Sequence, residues 1–378
     1  MQNQECYLSH VHMNNNKEIN MTNLKKVGLT ALAGSLAAVS ANAGELAVSG
    51  STQLTYVTGE AANSAGSFGQ ASGFSLTGSG DLDNGWSVSH AIHFASAGVF
   101  DSSATTMTMG DLGSIGIGSA TSINGAYDEA YVTAYEEASD GTTASSTSMN
   151  SMGSFAGNGL VYKAPAIEVG GASVALGFEY TPQGDGAQAN AGVGKTKADA
   201  TAEAMSIGAT ITTDMGLTLG AYGATMDDDT TVASTEDARQ GRFDGTWFAT
   251  YAMGPVSISY QTSYVDAGIE TASTGTSAAK TVGTSGGVFE AEAISIAFNV
   301  NDDLSISYTD IDDTYDSQTD NGSSADQEDV TQGIESLQVA YSMGSMSIKA
   351  YSTETTNPNY ASGAASRTVT EIALGLAF

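Results

Sequence analysis

The sequence contains very little cysteine and few basic residues. Cys6 is the single cysteine among 378 residues, and 11 Lys and Arg stand against 42 Asp and Glu. One thiol cannot build a disulfide framework or a multi-thiolate metal site, so both classes are excluded. The formal net charge of −31 repels nucleic acid and attracts cations. We therefore expect no nucleic-acid partner.

Long apolar runs and catalytic motifs are also missing. No run of 18 apolar residues occurs, which excludes a membrane-spanning helix. Downstream of residue 43, histidine occurs at His90 and His93, and this spacing places the two rings on opposite faces of a strand. They cannot form one catalytic pair, and no phosphate loop, zinc-ligand spacing or dinucleotide fingerprint is present. The sequence predicts neither an enzyme nor an organic cofactor.

The amino-terminal region has the three parts of a secretory signal peptide. A short basic segment begins at Met21, an apolar stretch runs from Val27 to Val39, and an Ala-Asn-Ala cleavage motif ends at Ala43. We predict a signal peptide over residues 21–43.

The residues upstream of this signal are polar and do not belong to it. We interpret residues 1–20 as a spurious extension, with Met21 as the initiator; a long cytoplasmic leader is the alternative. Cleavage would remove Cys6 and leave a mature chain, residues 44–378, without cysteine.

Segments with a period of two recur along the mature chain. In one of them Leu304, Ile306 and Tyr308 alternate with serine and threonine, which predicts a strand with one apolar and one polar face. The apolar face would pack on a core in a soluble sandwich and would contact lipid in a membrane barrel, so the pattern alone leaves both open. We predict sixteen strands, near 45–57, 70–81, 85–96, 102–110, 113–119, 158–164, 171–180, 202–213, 216–225, 243–252, 255–265, 288–299, 303–310, 333–342, 345–353 and 367–378.

The connections between these strands alternate between short turns and long acidic loops. The short ones contain Gly, Asn and Asp, which suit tight hairpins; examples are Asp214-Met-Gly216 and Asn301-Asp-Asp303. Sorting of this kind is typical of an all-β, antiparallel transmembrane barrel with short periplasmic turns and long extracellular loops. The predicted long loops are 59–69, 119–157, 181–200, 226–242, 266–286, 311–332 and 353–366.

The last eight residues form an alternating strand that ends in an aromatic side chain. Ile372, Leu374, Leu376 and Phe378 share one face. This strand resembles the closing strand of bacterial outer-membrane β-barrels, in which the barrel-assembly machinery reads a terminal phenylalanine. The resemblance implies that Phe378 acts in barrel assembly.

The order of motifs around the longest loop extends this resemblance. Gly110-Asp-Leu-Gly leads through an Ile-Gly-Ile-Gly segment into residues 119–157, and the strand after the loop contains Asn158, Val161, Tyr162 and Pro165. This order resembles the Gram-negative trimeric porin family, especially its alphaproteobacterial branch. The resemblance covers residues 44–378. It implies a homotrimer in the outer membrane, surrounded by lipid, whose water-filled channels pass small hydrophilic solutes and ions, with the third loop folded into the barrel.

The same resemblance identifies candidate residues at the narrowest point of the pore. In the family, acidic residues of the third loop face basic residues across the constriction. The acids implied here are Asp128, Glu129, Glu136, Glu137 and Asp140. The basic cluster is largely absent, and Lys163 and Lys349 are the candidates that remain, because both fall on lumen-facing phases of their strands. We therefore expect a one-sidedly negative, cation-preferring pore; acids that merely solvate an exposed loop are the alternative.

Two acidic runs contain the hard oxygen ligands that Ca²⁺ prefers. They are Asp227, Asp228 and Asp229, and Asp310, Asp312 and Asp313. Neither run is an EF-hand loop, and solvated acids are the alternative interpretation.

Two other functions fit the same composition. One is a channel dedicated to a single solute, and the other is a secreted acidic β-rich protein of a surface layer.

One feature does not suit a lipid-facing wall. Glu290 and Glu292 share the phase of Ile294, Ile296 and Phe298, and a charge at that position costs free energy unless it lies near the membrane interface.

Overall fold

The computed structural model describes most of the strands and the first part of the long third loop. The described residues are 39–41, 44–59, 66–118, 121–139, 144, 146, 149, 159–182, 203–226, 242–266, 288–316 and 329–378.

Within these described residues, all strand segments belong to one antiparallel sheet. The segments Leu160–Lys163 and Ile167–Val169 pair with successive parts of the same neighbour and form one interrupted strand, β6. A three-residue segment, Val39–Ala41, is a short addition that pairs with the first residues of β1. Sixteen strands remain, as predicted.

The strands have the following bounds in chain order. They are β1 Gly44–Gly59, β2 Ser67–Asp81, β3 Ser87–Ala95, β4 Val99–Thr108, β5 Ser114–Ile117, β6 as above, β7 Ala172–Thr181, β8 Ala204–Thr213, β9 Leu217–Met226, β10 Arg242–Met253, β11 Val256–Asp266, β12 Val288–Asn299, β13 Leu304–Asp316, β14 Val330–Met343, β15 Met346–Thr356 and β16 Arg367–Ala377.

The sheet closes on itself because its last strand pairs with its first. Leu374 of β16 lies opposite Leu54 of β1. The backbone of Phe378 extends this pairing: its N–H donates to Gly50 O at 3.0 Å, and Gly50 N–H donates to Phe378 O at 2.9 Å. Closure leaves the described sheet without a free edge strand. In the described part of the chain, no helix is long and apolar enough to cross a membrane.

Alternation along each strand separates an apolar outer surface from a polar inner one. On β13, Ser305, Ser307 and Thr309 are buried inside the barrel, whereas Ile306 and Tyr308 are 37% and 40% exposed on its outer wall. The same alternation of burial holds on β11, β12, β14 and β15, although the inner face of β12 is mostly alanine. An exposed apolar belt around a polar lumen is the inverse of a soluble barrel and suits a wall in contact with lipid.

The short turns lie at one end of the barrel and use glycine where the backbone requires it. Gly216, between β8 and β9, has φ of +88°, and a Cβ atom there would lie 2.4 Å from Ala252 O. Only glycine fits such a position without strain.

At the other end, one connection breaks the expected alternation and one predicted loop has wrong bounds. The connection between β3 and β4 is only Ser96–Gly98, so one outer connection is as short as a turn. The predicted loop 311–332 begins and ends inside strands, because β13 continues to Asp316 and β14 starts at Val330. Acidic residues at alternating positions made these strand ends look like loop.

Candidate pore constriction

The third loop enters the lumen beside β7 and is fixed there by one carboxylate. Glu179 of β7 accepts a hydrogen bond from Ser122 Oγ at 2.8 Å and from Ile123 N–H at 3.2 Å. Both donors lie near the start of the described part of the loop, so Glu179 directs the loop into the barrel.

The next part of the loop packs on aromatic residues of the inner wall. Tyr127 stacks on Tyr222 of β9 with ring centroids 5.2 Å apart, and Phe248 of β10 lies 6.2 Å away. A Cβ atom on Gly208 of β8 would lie 2.5 Å from the Tyr127 ring, so this glycine provides the space that the ring occupies. Burial raises the pKa of Tyr127, which keeps its hydroxyl protonated.

The middle of the loop is held by a row of polar side chains on successive strands. Val132 N–H lies 2.9 Å from both Ser259 Oγ of β11 and Ser295 Oγ of β12. Ala134 N–H donates to Ser307 Oγ of β13 at 2.8 Å. An irregular segment must find partners for its backbone groups, and the inward serines supply them. The loop therefore runs along the inner wall across these strands.

The loop then reaches the seam of the barrel through Tyr135. Its N–H donates to Gln338 Oε1 of β14 at 2.9 Å, and its hydroxyl donates to Glu371 Oε1 of β16 at 2.7 Å. The same hydroxyl accepts from Gln53 Nε2 of β1 at 2.7 Å. Burial and the charges of Glu136 and Glu371 hold the pKa of Tyr135 well above its usual range, so it remains a donor.

Glu129, one of the predicted constriction acids, is inside the loop itself. It is 5% exposed, and its Oε1 accepts a hydrogen bond from Tyr131 OH at 2.5 Å and another from Ser139 Oγ. Burial and this neighbouring charge raise the pKa of Tyr131. These contacts give Glu129 a role in shaping the loop.

The other predicted acids differ in how they are placed. Asp128, Glu136 and Glu137 belong to the part of the loop inside the lumen and are half-buried. Asp140 lies outside the described residues. The contribution of these carboxylates to conduction remains a prediction.

The two candidate bases lie in different surroundings. Lys349 of β15 points inward and is 4% exposed, with Nζ 4.8 Å from the centroid of the Tyr135 ring. The charge of Glu136 acts on it. Lys163 of β6 is exposed and lies beside Ser114, near the turn that precedes β5. The loop thus covers Lys349, and its ammonium group lies over the Tyr135 ring and interacts electrostatically with Glu136.

The wall formed by β1 to β5 carries no Lys or Arg, because residues 44–117 contain neither. Many of its inward positions carry small neutral side chains, such as Ser49, Ser75 and Thr77, and His93, the partner of Ser75, is paired with Asp101. This part of the wall therefore has no Lys or Arg to place opposite the acids of the loop.

The two histidines form separate contacts on different faces of β3. His90 Nδ1 lies 2.8 Å from Thr105 Oγ1, and His93 Nδ1 lies 2.9 Å from Asp101 Oδ2. The opposite orientation predicted from their spacing agrees with these different partners.

The aspartates of β13 do not form one ligand set. Asp310 and Asp312 point outward, whereas Asp313 is fully buried in the lumen. Asp313 Oδ2 accepts hydrogen bonds of 2.6 Å from Ser146 Oγ and from Tyr360 OH. In the described ranges no group of three or more His, Cys, Asp or Glu residues is arranged to hold a metal ion. Asp227, Asp228 and Asp229 lie outside the described residues.

Sequence reasoning missed an aromatic cluster at the outer mouth of the lumen. Phe289 lies 4.6 Å from Tyr315 and 5.3 Å from Tyr360 between ring centroids. Tyr360 belongs to the loop after β15 and also bonds to Asp313, so this loop folds inward. The one available signal in the sequence was an aromatic residue at an inward position of each strand, Phe289 on β12 and Tyr315 on β13.

A closed barrel with an apolar outer belt, a polar lumen and a loop folded into that lumen defines a transmembrane β-barrel of the porin type. Such a barrel satisfies every backbone group internally and is the form in which strands cross the outer membrane of Gram-negative bacteria.

Solved structures agree with this class, although sequence comparison alone does not reveal it. No protein-family profile matches the chain, and no curated protein sequence matches it. OmpF of Salmonella typhi, solved in complex with daunomycin, has a TM-score of 0.62 and 11% identity over 90% of this chain and 100% of its own. A loop L8 deletion mutant of Vibrio cholerae OmpT has a TM-score of 0.59 and 14% identity, with 89% and 100% covered. An anion-selective porin from Comamonas acidovorans has a TM-score of 0.58 and 13% identity over the same shares.

Proposed function

We propose that the protein is an outer-membrane channel that allows small hydrophilic solutes and ions to diffuse passively and that it prefers cations. It acts as a diffusion channel rather than an enzyme. The closed barrel with its apolar outer belt also argues against the secreted surface-layer alternative.

The cation preference is carried by the one-sided charge of the lumen. Acidic residues of the third loop lie inside the barrel, while β1 to β5 contain no Lys or Arg. In a low-dielectric wall the field of such acids is focused into the water-filled path. The fold alone does not fix the sign of selectivity, since the similar porin from Comamonas acidovorans is anion-selective. The sign of the selectivity therefore depends on the charged residues that line the pore.

We infer that the barrel assembles as a homotrimer. A trimer form is known for OmpT of Vibrio cholerae, a structure with a TM-score of 0.54 and 14% identity to this chain. Gel migration of unboiled protein, together with light scattering in detergent, measures the assembly. A species at monomer mass alone contradicts the trimer.

The experiment that tests the channel is conductance in planar bilayers with purified, refolded protein. Stepwise current increases are expected, and liposome swelling should show entry of small sugars at rates that fall with sugar size. Swelling for one sugar only would favour the solute-specific alternative, and absence of current steps would contradict the channel.

A further inference from the structure

A groove lies on the outer wall of the barrel, away from the pore. It crosses from β9 to β13 and encloses about 600 Å³, a volume typical of small-molecule sites. Apolar and aromatic side chains form its sides, and Asp310 lies at one end. The lining residues that carry the argument are Tyr251, Ile258, Tyr260, Ile294, Ile296 and Tyr308.

The end of the groove at Asp310 opens onto a row of carboxylates. Asp310 pairs with Glu335 of β14, and Asp312 pairs with Glu292 of β12. All four side chains are exposed on the outward face. The strands β11 to β14 contain no Lys or Arg, so these strands provide no positive charge to neutralise the row.

The row lies towards the end of the barrel that carries the long loops. On β12 the outward residues run from Glu290 and Glu292 at the loop end to Ile294, Ile296 and Phe298 towards the short turn. Each two-residue step along a tilted strand is about 5 Å across the membrane. The carboxylates thus begin where the outward apolar residues of β12 end, on the side of the long loops, and the groove lies directly below them.

Tyrosine hydroxyls hold two of the carboxylates in place. Tyr260 OH donates to Glu292 Oε1 at 3.0 Å, and Tyr308 OH donates to Glu335 Oε2 at 2.9 Å. Both rings also line the groove. The same two tyrosines therefore line the apolar groove and hold the carboxylates at its end.

We propose that this groove binds a membrane lipid whose headgroup carries an ammonium group. One acyl chain lies along the aromatic and isoleucine side chains, and the ammonium lies beside Asp310 and Glu292. A negatively charged headgroup would be repelled by the same carboxylates. This site lies outside the lumen and is independent of conduction.

Trp247 provides a reporter at the groove, because its ring lies 5.3 Å from that of Tyr260. The chain has two tryptophans, so Trp86→Phe leaves Trp247 alone. The single-tryptophan barrel is reconstituted in bilayers that contain brominated phosphatidylethanolamine or brominated phosphatidylglycerol, and quenching of Trp247 gives the relative affinity of each lipid. We expect a preference of about two- to fivefold for the ammonium-headed lipid.

The charge dependence separates a site from general contact with lipid. Asp310→Asn with Glu292→Gln should reduce the preference to near one. Glu354→Gln, which lies opposite Glu335 on β15 but does not line the groove, should change the preference much less than the double substitution. Equal quenching by both lipids, a preference that survives the double substitution, or no quenching by either lipid because protein covers the groove would each overturn the proposal.

Discussion

The hydroxyl of Tyr135 donates a hydrogen bond of 2.7 Å to Glu371 Oε1. This contact ties the third loop to the strand that closes the barrel. Since Gln53 of β1 donates to the same hydroxyl, one phenol joins the loop to both sides of the seam. We therefore expect the position of the loop to depend on this group.

Replacing Tyr135 with Phe should loosen the loop without unfolding the barrel. The change removes the hydroxyl that serves both Glu371 and Gln53, and a lost buried partner costs about 1–3 kcal/mol. We expect larger current fluctuations in single-channel recordings and a lower melting temperature. Tyr341→Phe, on the outer wall, is the matched control, and identical current noise in the two variants would contradict the role of Tyr135.

Alkaline pH should destabilise the protein because the hydroxyl of Tyr135 loses its proton. The pKa of Tyr135 is raised in the folded protein, so the folded state holds the proton more tightly than the unfolded chain, whose tyrosines titrate near pH 10. The stabilisation is complete below that pH and is lost as pH rises above it. Unfolding midpoints between pH 8 and 11 should fall less steeply for Tyr135→Phe than for the unsubstituted protein. Parallel curves would count against this assignment.

Glu129→Gln should affect stability more than selectivity. The carboxylate is buried and accepts bonds from Tyr131 and Ser139, and charged acceptors bind hydroxyl donors more strongly than neutral ones. We expect a loss of about 1–2 kcal/mol in stability with a reversal potential close to that of the unsubstituted channel. Glu137→Gln should show the opposite pattern. A large selectivity change in the Glu129 variant alone would mean that its charge acts on the pore.

Phe378→Ser should lower the yield of folded barrel. The backbone bonds to Gly50 do not need the aromatic ring, and the ring is 66% exposed, so we expect the folded state itself to tolerate the change. We predict unfolded protein in the periplasm, detected by protease sensitivity of the secreted fraction. Phe298→Ser removes an outward aromatic ring from an internal strand and is the control. Equal folded yields for the Phe378 variant and the unsubstituted protein would refute an assembly role.

The strands and the closed barrel could be predicted from sequence because alternation along a strand directly reflects its two environments. The same signal fails where polar residues face outward. Asp310 and Asp312 made the end of β13 look like loop, and Glu290 and Glu292 looked misplaced, although all four lie in strands and are exposed on the outer wall.

The candidate site was less predictable because its contacts join residues far apart in sequence. The acids of the loop were visible as a local cluster, but nothing local shows that Ser259, Ser295 and Ser307 would hold its backbone. Likewise the inward phase of Lys349 was readable, whereas its burial against Tyr135 depends on where the loop folds.

The reversal potential in a salt gradient tests the central claim most directly. A cation-preferring potential is expected for the unsubstituted channel, and neutralising Asp128, Glu136 and Glu137 together should shift it further towards zero than neutralising Asp227, Asp228 and Asp229. Charges farther than a Debye length of about 8–10 Å from the narrowest point are screened, and the shift should shrink in about 1 M salt. Anion selectivity in the unsubstituted channel, or a larger shift from the second set of substitutions, would contradict the account.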